Sequence, residues 1–256
     1  MNWKTFYALL SRDGHVARRN LLPMLLQNLL QPLLFCFVFG RVLTTGGFMR
    51  AQFKSVLLSG VIATSIVITG IQAVAMPLIG EFQFSREIED RLLSPIENGW
   101  IGVEKILAGM ILALAAGLVV IPAAWLTMGS GVNISFAHPF AFAGFFLLVA
   151  LMAASGGLAL GCSVPQTHIG LMFSLILMPM LMFGCVYYPW ALLRMFPELQ
   201  YAVLANPLVY ATEGLRGVMS PQVPHIDGWI SAVALAFIDT ALMNIGIRKF
   251  RNKAVS

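Results

Sequence analysis

Residues 187–217 read YYPWALLRMFPELQYAVLANPLVYATEGLRG, and the fold turns on how this stretch meets a membrane. It follows an uninterrupted apolar run and is itself mostly apolar. Yet Pro189, Pro197 and the pair Asn206-Pro207 break it, and Arg194, Glu198, Glu213 and Arg216 stud it. One helix cannot cross hydrocarbon with so many interruptions, because unpaired backbone groups and charges are each costly there. Two short helices that enter from one side and return accommodate the same residues. The stretch is therefore expected to form a re-entrant helical hairpin, a device suited to a protein that moves material across a bilayer.

Composition agrees. Hydrophobic residues make up 59% of the 256 residues and charged residues 11%, against roughly 25% charged in an ordinary soluble domain. With a mean hydropathy of +0.84 there is too little polar surface to cover a soluble globule, so an all-α integral membrane protein is expected. The net charge of +5 would point to nucleic acid in a soluble chain. Here Lys and Arg flank apolar spans, which ties them to membrane orientation and leaves no nucleic-acid partner.

Six segments reach the roughly 20 residues needed to cross about 30 Å of hydrocarbon: 21–43, 53–79, 106–128, 139–164, 169–188 and 229–247. Pro32, Pro77, Pro122 and Pro179 lie inside them or near their ends, where kinks are tolerated. No soluble domain fits between the spans, so residues 1–256 read as one transmembrane domain. With both termini cytoplasmic, the inner side holds Lys4, Arg12, Arg18, Arg19, Arg86, Arg91, Lys105, Arg248, Lys249, Arg251 and Lys253, and the outer side Arg41, Arg50, Lys54, Arg194 and Arg216. The excess of inner charge favours that orientation.

Arg18-Arg19 precedes an apolar run too long for a signal-peptide core, with no small-residue cleavage site after it, so no leader is expected to be removed. Within residues 1–20, Trp3, Phe6, Tyr7 and Leu10 form one helical stripe, which reads as an interfacial helix on the cytoplasmic surface; a frayed terminus is the alternative. The loop 80–105 contains a second amphipathic rod. Ser85 suits an N-cap, Glu87, Glu89 and Asp90 suit the first turn, and Arg86/Asp90 and Glu87/Arg91 are opposite charges four apart. Ser94-Pro95 stops the helix. Phe84, Ile88 and Leu92 make an apolar ridge on it, to be covered by the chain's own inner face, by headgroups, or by a groove on another protein.

The loop pattern E-F-x-x-[ST]-R-E-I-x-D-R-L-L-x-P, the six spans and the later N-P-L-x-Y-x-x-E-G-L-R together resemble the membrane subunit of a type-2 ABC exporter, in particular the daunorubicin-resistance and nodulation lipo-oligosaccharide export permeases. The resemblance runs over nearly the whole chain. It implies that the 80–105 loop is a coupling helix inserted into an ATPase subunit through Phe84, Arg86, Glu87, Ile88, Asp90, Arg91 and Leu92. It also implies that residues 187–217 are the external re-entrant hairpin, and that the chain resides in a bacterial inner membrane. The cargo classes it implies are drugs, lipids, glycolipids and polysaccharides.

No G-x-x-x-x-G-K-[ST] phosphate loop occurs in the chain, so ATP and Mg are expected on a separate ATPase, present in two copies, with no cofactor held here and no catalysis by this subunit. A single six-span set calls for a second permease copy or a paralogue. Ala153, Gly157 and Gly161 form a small-residue stripe that permits close helix contact, either within the subunit or at a dimer seam. Cys36, Cys162 and Cys185 read as packing residues, and the scattered His15, His138, His168 and His225 do not suggest a metal site. Asp239 falls near the middle of the last span, where it must face protein or water. It serves packing and hydrogen bonding, or it faces substrate or protons; the latter would make the chain an ATPase-independent carrier or channel. Glu213 and Arg216 share a helix face, and with Pro189, Pro197, Asn206 and Pro207 they are the candidate outer gate at the membrane boundary.

Single-cysteine labelling in a cysteine-free background tests the topology. Ser11→Cys, Ser94→Cys and Asn252→Cys should label from the cytoplasm, and Thr45→Cys and Gln222→Cys from outside. Cytoplasmic labelling at position 222 would mean that residues 187–217 cross the membrane and that the six-span arrangement is wrong.

Overall fold

The computed structural model describes residues 3, 7, 10–14, 23, 30, 32–50, 52–82, 98–129 and 138–255. Among them there is helix and no strand. The helices are α1 (Pro32–Thr45), α2 (Phe53–Gly80), α3 (Asn98–Met128), α4 (Pro139–Ser163), α5 (Ile169–Met182), α6 (Pro197–Ala202), α7 (Pro207–Met219) and α8 (Gly228–Val255). Four of them, α2, α3, α4 and α8, are long and apolar enough to cross a membrane. The chain is a multi-pass membrane protein.

The helix boundaries differ from hydropathy in an instructive way. The third expected span starts at Ile106, but α3 begins at Asn98, because Glu104 and Lys105 are buried inside the protein and do not end the helix. The last helix likewise runs through Arg248, Lys249, Arg251 and Lys253 to Val255. The fifth expected span falls short. Continuous helix stops at Met182, where residue 188 was expected, giving about 21 Å at 1.5 Å per residue. Of the first expected span only Leu30 and the residues from Pro32 onward, along with Pro23, are described. Both α1 and α5 contain a π-helical stretch, Cys36–Val42 and Phe173–Leu177, a local widening often found at functional sites.

At the centre lies α2, packed against α3, α4 and α7, while α8 packs on α4, α7 and α3. It is buried around most of its circumference, as expected of a helix that is apolar all round. The small-residue stripe of α4 seats there. A Cβ placed on Gly157 would lie 2.8 Å from the Ile71 carbonyl oxygen, and one on Gly161 would lie 3.0 Å from the Ala75 Cα. Gly70 of α2 answers Ala153 in the same seam. The stripe therefore serves helix packing within the subunit, which removes it as a dimer seam. Close backbone approach is what such residues permit where lipid supplies no hydrophobic drive between helices.

Gly157→Leu should force α4 off α2, at an overpacking cost of about 1–3 kcal/mol or more. Gly144→Leu on the same helix has open space within 4 Å and should be tolerated. Melting of the detergent-purified variants measures the contrast; equal stability of the two would show that the α2–α4 seam is not tight.

Candidate functional site

The hairpin is built from pieces its sequence dictates. After Met182 the chain turns through residues 183–188, with Cys185 at a φ of 53°, a left-handed conformation rare for a side-chain-bearing residue. Pro189 opens a 3₁₀ turn, Trp190–Met195. Pro197 then starts α6, whose missing N–H costs nothing at a first helical position. A second 3₁₀ turn, Val203–Ala205, leads to Asn206, the N-cap of α7, whose Oδ1 accepts the Leu208 N–H at 3.0 Å. Pro207 follows as first helical residue. The first limb is thus a series of short turns, while the return limb is a single helix packed on α2, α4 and α8.

One side of α7 carries the polar chemistry. The Asn206 Nδ2 donates to the Met180 carbonyl at 2.7 Å, the Thr212 hydroxyl to the Gly184 carbonyl at 2.8 Å, and the Arg216 Nη2 to the Cys185 carbonyl at 2.7 Å. These are carbonyls at and just past the end of α5, where a helix has no partners of its own. Glu213 completes the arrangement. Its Oε1 accepts from the Arg216 Nη1 and from the Trp190 N–H at 2.9 Å, and its Oε2 accepts the Ile226 N–H at 3.0 Å. Arg216 and Glu213 have no exposed area. Four residues of one helix thereby fasten the end of α5, the start of the hairpin and the return loop. Gly184 allows this approach: a Cβ there would sit 2.4 Å from Leu208 Cδ2.

The Glu213–Arg216 pair, expected to form on one helix face, does form, and it is enclosed in protein: the Cys185 carbonyl accepts from Arg216, and the N–H groups of Trp190 and Ile226 donate to Glu213. A second feature lies at the Asn206 end of the hairpin. A cavity of about 590 Å³ lies between Ile71 of α2, Gly156 of α4, Pro179 and Met180 of α5, Pro207 of α7 and Leu242 of α8. Its walls are almost wholly apolar, and the side chain of Asn206, which also lines it, already has backbone partners for both its oxygen and its nitrogen. Such a space suits an apolar group of the size pockets commonly hold.

Other sequence candidates fall elsewhere. Asp239 of α8 is 3% exposed, and neither carboxyl oxygen has a hydrogen-bond partner among the described residues, so no neighbouring hydroxyl or amide is bonded to it. Phe84, Arg86, Glu87, Ile88, Asp90, Arg91 and Leu92 lie outside the described residues, as does most of the segment 1–20. The cysteines are all buried and free. Two lysines counted only as orientation charges are buried and bonded: Lys54 donates to the Met128 carbonyl at the end of α3 at 3.0 Å, and Lys105 reaches Glu81 at 2.6 Å and Asp13 at 2.8 Å. Spacing gave no signal for Asn206 Nδ2, Thr212, Lys54 or Asp13, since each partner is distant in sequence. Glu81 and Lys105, opposite charges flanking one loop, did offer a hint.

A family model described as ABC-2 type transporter matches residues 4–220. No curated protein and no solved structure matches the chain.

Removing one partner of a buried ion pair leaves an uncompensated charge, at about 3–5 kcal/mol. Glu213→Ala should be the more damaging single change, because Arg216 would keep one carbonyl while Glu213, in Arg216→Ala, would keep two backbone N–H donors. The double variant should lose less than the sum of the two. Melting temperatures of the purified proteins complete the cycle; additive losses would show that the residues act independently.

Proposed function

Because the chain belongs to the ABC-2 type transporter family, we propose that it is the permease subunit of an ATP-driven exporter, moving a lipophilic or amphipathic cargo outward by alternating access. Drugs, lipids, glycolipids and polysaccharides are the cargo classes. ATP and Mg belong to a separate ATPase, two copies of which serve a pair of permease subunits, identical or paralogous. The chain sits in a bacterial inner membrane with six crossings and both termini in the cytoplasm. Support comes foremost from the family match over residues 4–220, joined by the apolar helices long enough to cross a membrane.

Within that reading the loop between α2 and α3 docks the ATPase, with Phe84, Ile88 and Leu92 as the inserted ridge and Arg86, Glu87, Asp90 and Arg91 around it. The hairpin forms the outer gate. Pro189, Pro197, Asn206 and Pro207 set its bends, and Glu213 and Arg216 hold its return limb to the end of α5. The apolar cavity beside Pro207 and Met180 supports a lipophilic cargo, since its walls are almost wholly apolar and the amide of Asn206 is already engaged by backbone groups. Asp239, buried without a hydrogen-bond partner among the described residues, supports a second reading, an ATPase-independent carrier that uses this carboxyl to couple an ion.

Ile88→Asp or Leu92→Asp should abolish co-purification of the ATPase while the permease still inserts, because each seated apolar side chain contributes about 1.5–3 kcal/mol. Normal ATPase recovery with both variants would sink the docking assignment and favour the carrier.

A further inference from the structure

The hairpin bounds a second pocket, of about 310 Å³, separate from the apolar cavity. Trp190 and Leu204 of the hairpin, Tyr210 of α7, and His225, Ile226 and Asp227 of the return loop line it, together with the first turn of α8. The turn Val203–Ala205 is a wall of both spaces: Val203 and Ala205 line the larger, Leu204 the smaller. The size is at the lower end of the range for small-molecule sites. Unlike the larger cavity, this one carries an indole, a phenol, an imidazole and a carboxylate.

What the walls can offer a ligand follows from which of their groups are already engaged. The Trp190 and Ile226 N–H groups both donate to Glu213, at 2.9 and 3.0 Å. The Trp190 Nε1 donates to the Gln200 carbonyl at 2.9 Å, so this indole presents only ring surface. The His225 Nδ1 donates to the Val223 carbonyl at 2.7 Å, which leaves Nε2 of the neutral ring as an acceptor. Asp227 is exposed, and its carboxylate makes no hydrogen bond or ion pair among the described residues. The half-buried Tyr210 hydroxyl has no partner among them either. No Lys or Arg of the described residues lines the pocket, and the guanidinium behind its wall, Arg216, is matched by Glu213. The N-terminal end of α8 carries about half a positive charge, which the full charge of Asp227 outweighs.

Acceptors, negative charge and aromatic surface remain. We propose that the pocket binds an organic ammonium group, the protonated amine of a small molecule. Asp227 is its counter-ion, the His225 Nε2 and the Tyr210 oxygen accept its N–H groups, and the Trp190 ring is the surface against which the cation lies. The site stands whether or not an ATPase drives the chain.

Ligand-observed saturation-transfer NMR tests this on the purified full chain in maltoside detergent, which carries no charge, with n-butylammonium as the probe. Butylammonium should bind saturably, and tetramethylammonium, which has no N–H to donate, more weakly. Asp227→Asn removes the charge of an exposed side chain and keeps its shape. It should weaken butylammonium by about tenfold or more, the scale of a hydrogen bond to a charged group, and Asp227→Glu should recover most of the loss. Tyr210→Phe should cost about threefold, the scale of an ordinary hydrogen bond. Glu198→Gln, which removes an exposed acid of α6 outside the pocket, should bind as the parent does. No saturable binding to the parent chain, or equal affinity in Asp227→Asn, would overturn the proposal. An equal loss in Glu198→Gln would overturn it by reducing the effect to net charge. Equal affinity for tetramethylammonium would overturn it by leaving the acceptors without a role. Preferential binding of butanoate, strengthened in Asp227→Asn, would overturn it in favour of an anion held at the start of α8.

Discussion

In a medium without water, every buried carbonyl at a helix end must find a donor within the protein. The fifth helix ends early, at Met182, and the carbonyls of Met180, Gly184 and Cys185 around its end are covered by α7. Asn206, Thr212 and Arg216 supply the donors from α7. The return limb is placed so that its amide, hydroxyl and guanidinium meet those three carbonyls. Glu213 is then needed to balance Arg216, and it in turn takes the N–H groups of Trp190 and Ile226. The hairpin is thus closed by one chain of obligations that begins with a short helix.

The same rule recurs at two buried lysines. Lys54 is the donor for the last carbonyl of α3, where a cation also meets the negative end of the helix dipole. Lys105 is matched by Glu81 and Asp13. The Asp239 carboxyl departs from the rule, with no hydrogen-bond partner among the described residues, and the Arg216 Nε is also left without one. Apolar packing sets the arrangement of the long helices, with α4 pressed on α2 through glycine, while polar pairing sets what is attached to them.

Hydropathy made the long helices legible. Residues 53–80 and 139–163 need no tertiary information to be recognised, because an apolar stretch of that length has no other stable state in a bilayer than a helix. Hydropathy misplaced the start of α3, since a window cannot know that Glu104 and Lys105 face protein. It also lengthened α5 past Met182: residues 183–188 are apolar or aromatic, and only the positive φ of Cys185 and the donors on α7 reveal that they turn. The prolines and charges of 187–217 declared a broken segment, and that much the residues alone could say.

By itself, then, the sequence determined a helical membrane chain, the approximate positions of its apolar helices, and the breaks at Pro189, Pro197 and Asn206-Pro207, because these depend on local composition and backbone chemistry. Tertiary structure alone decided the partners: Asn206 with Met180, Thr212 with Gly184, Lys105 with Asp13, the glycine stripe with α2, and the enclosure of Glu213 and Arg216. Each of those contacts joins residues far apart in the chain, and no periodicity or spacing records which of many possible donors will meet a given carbonyl once the helices have packed.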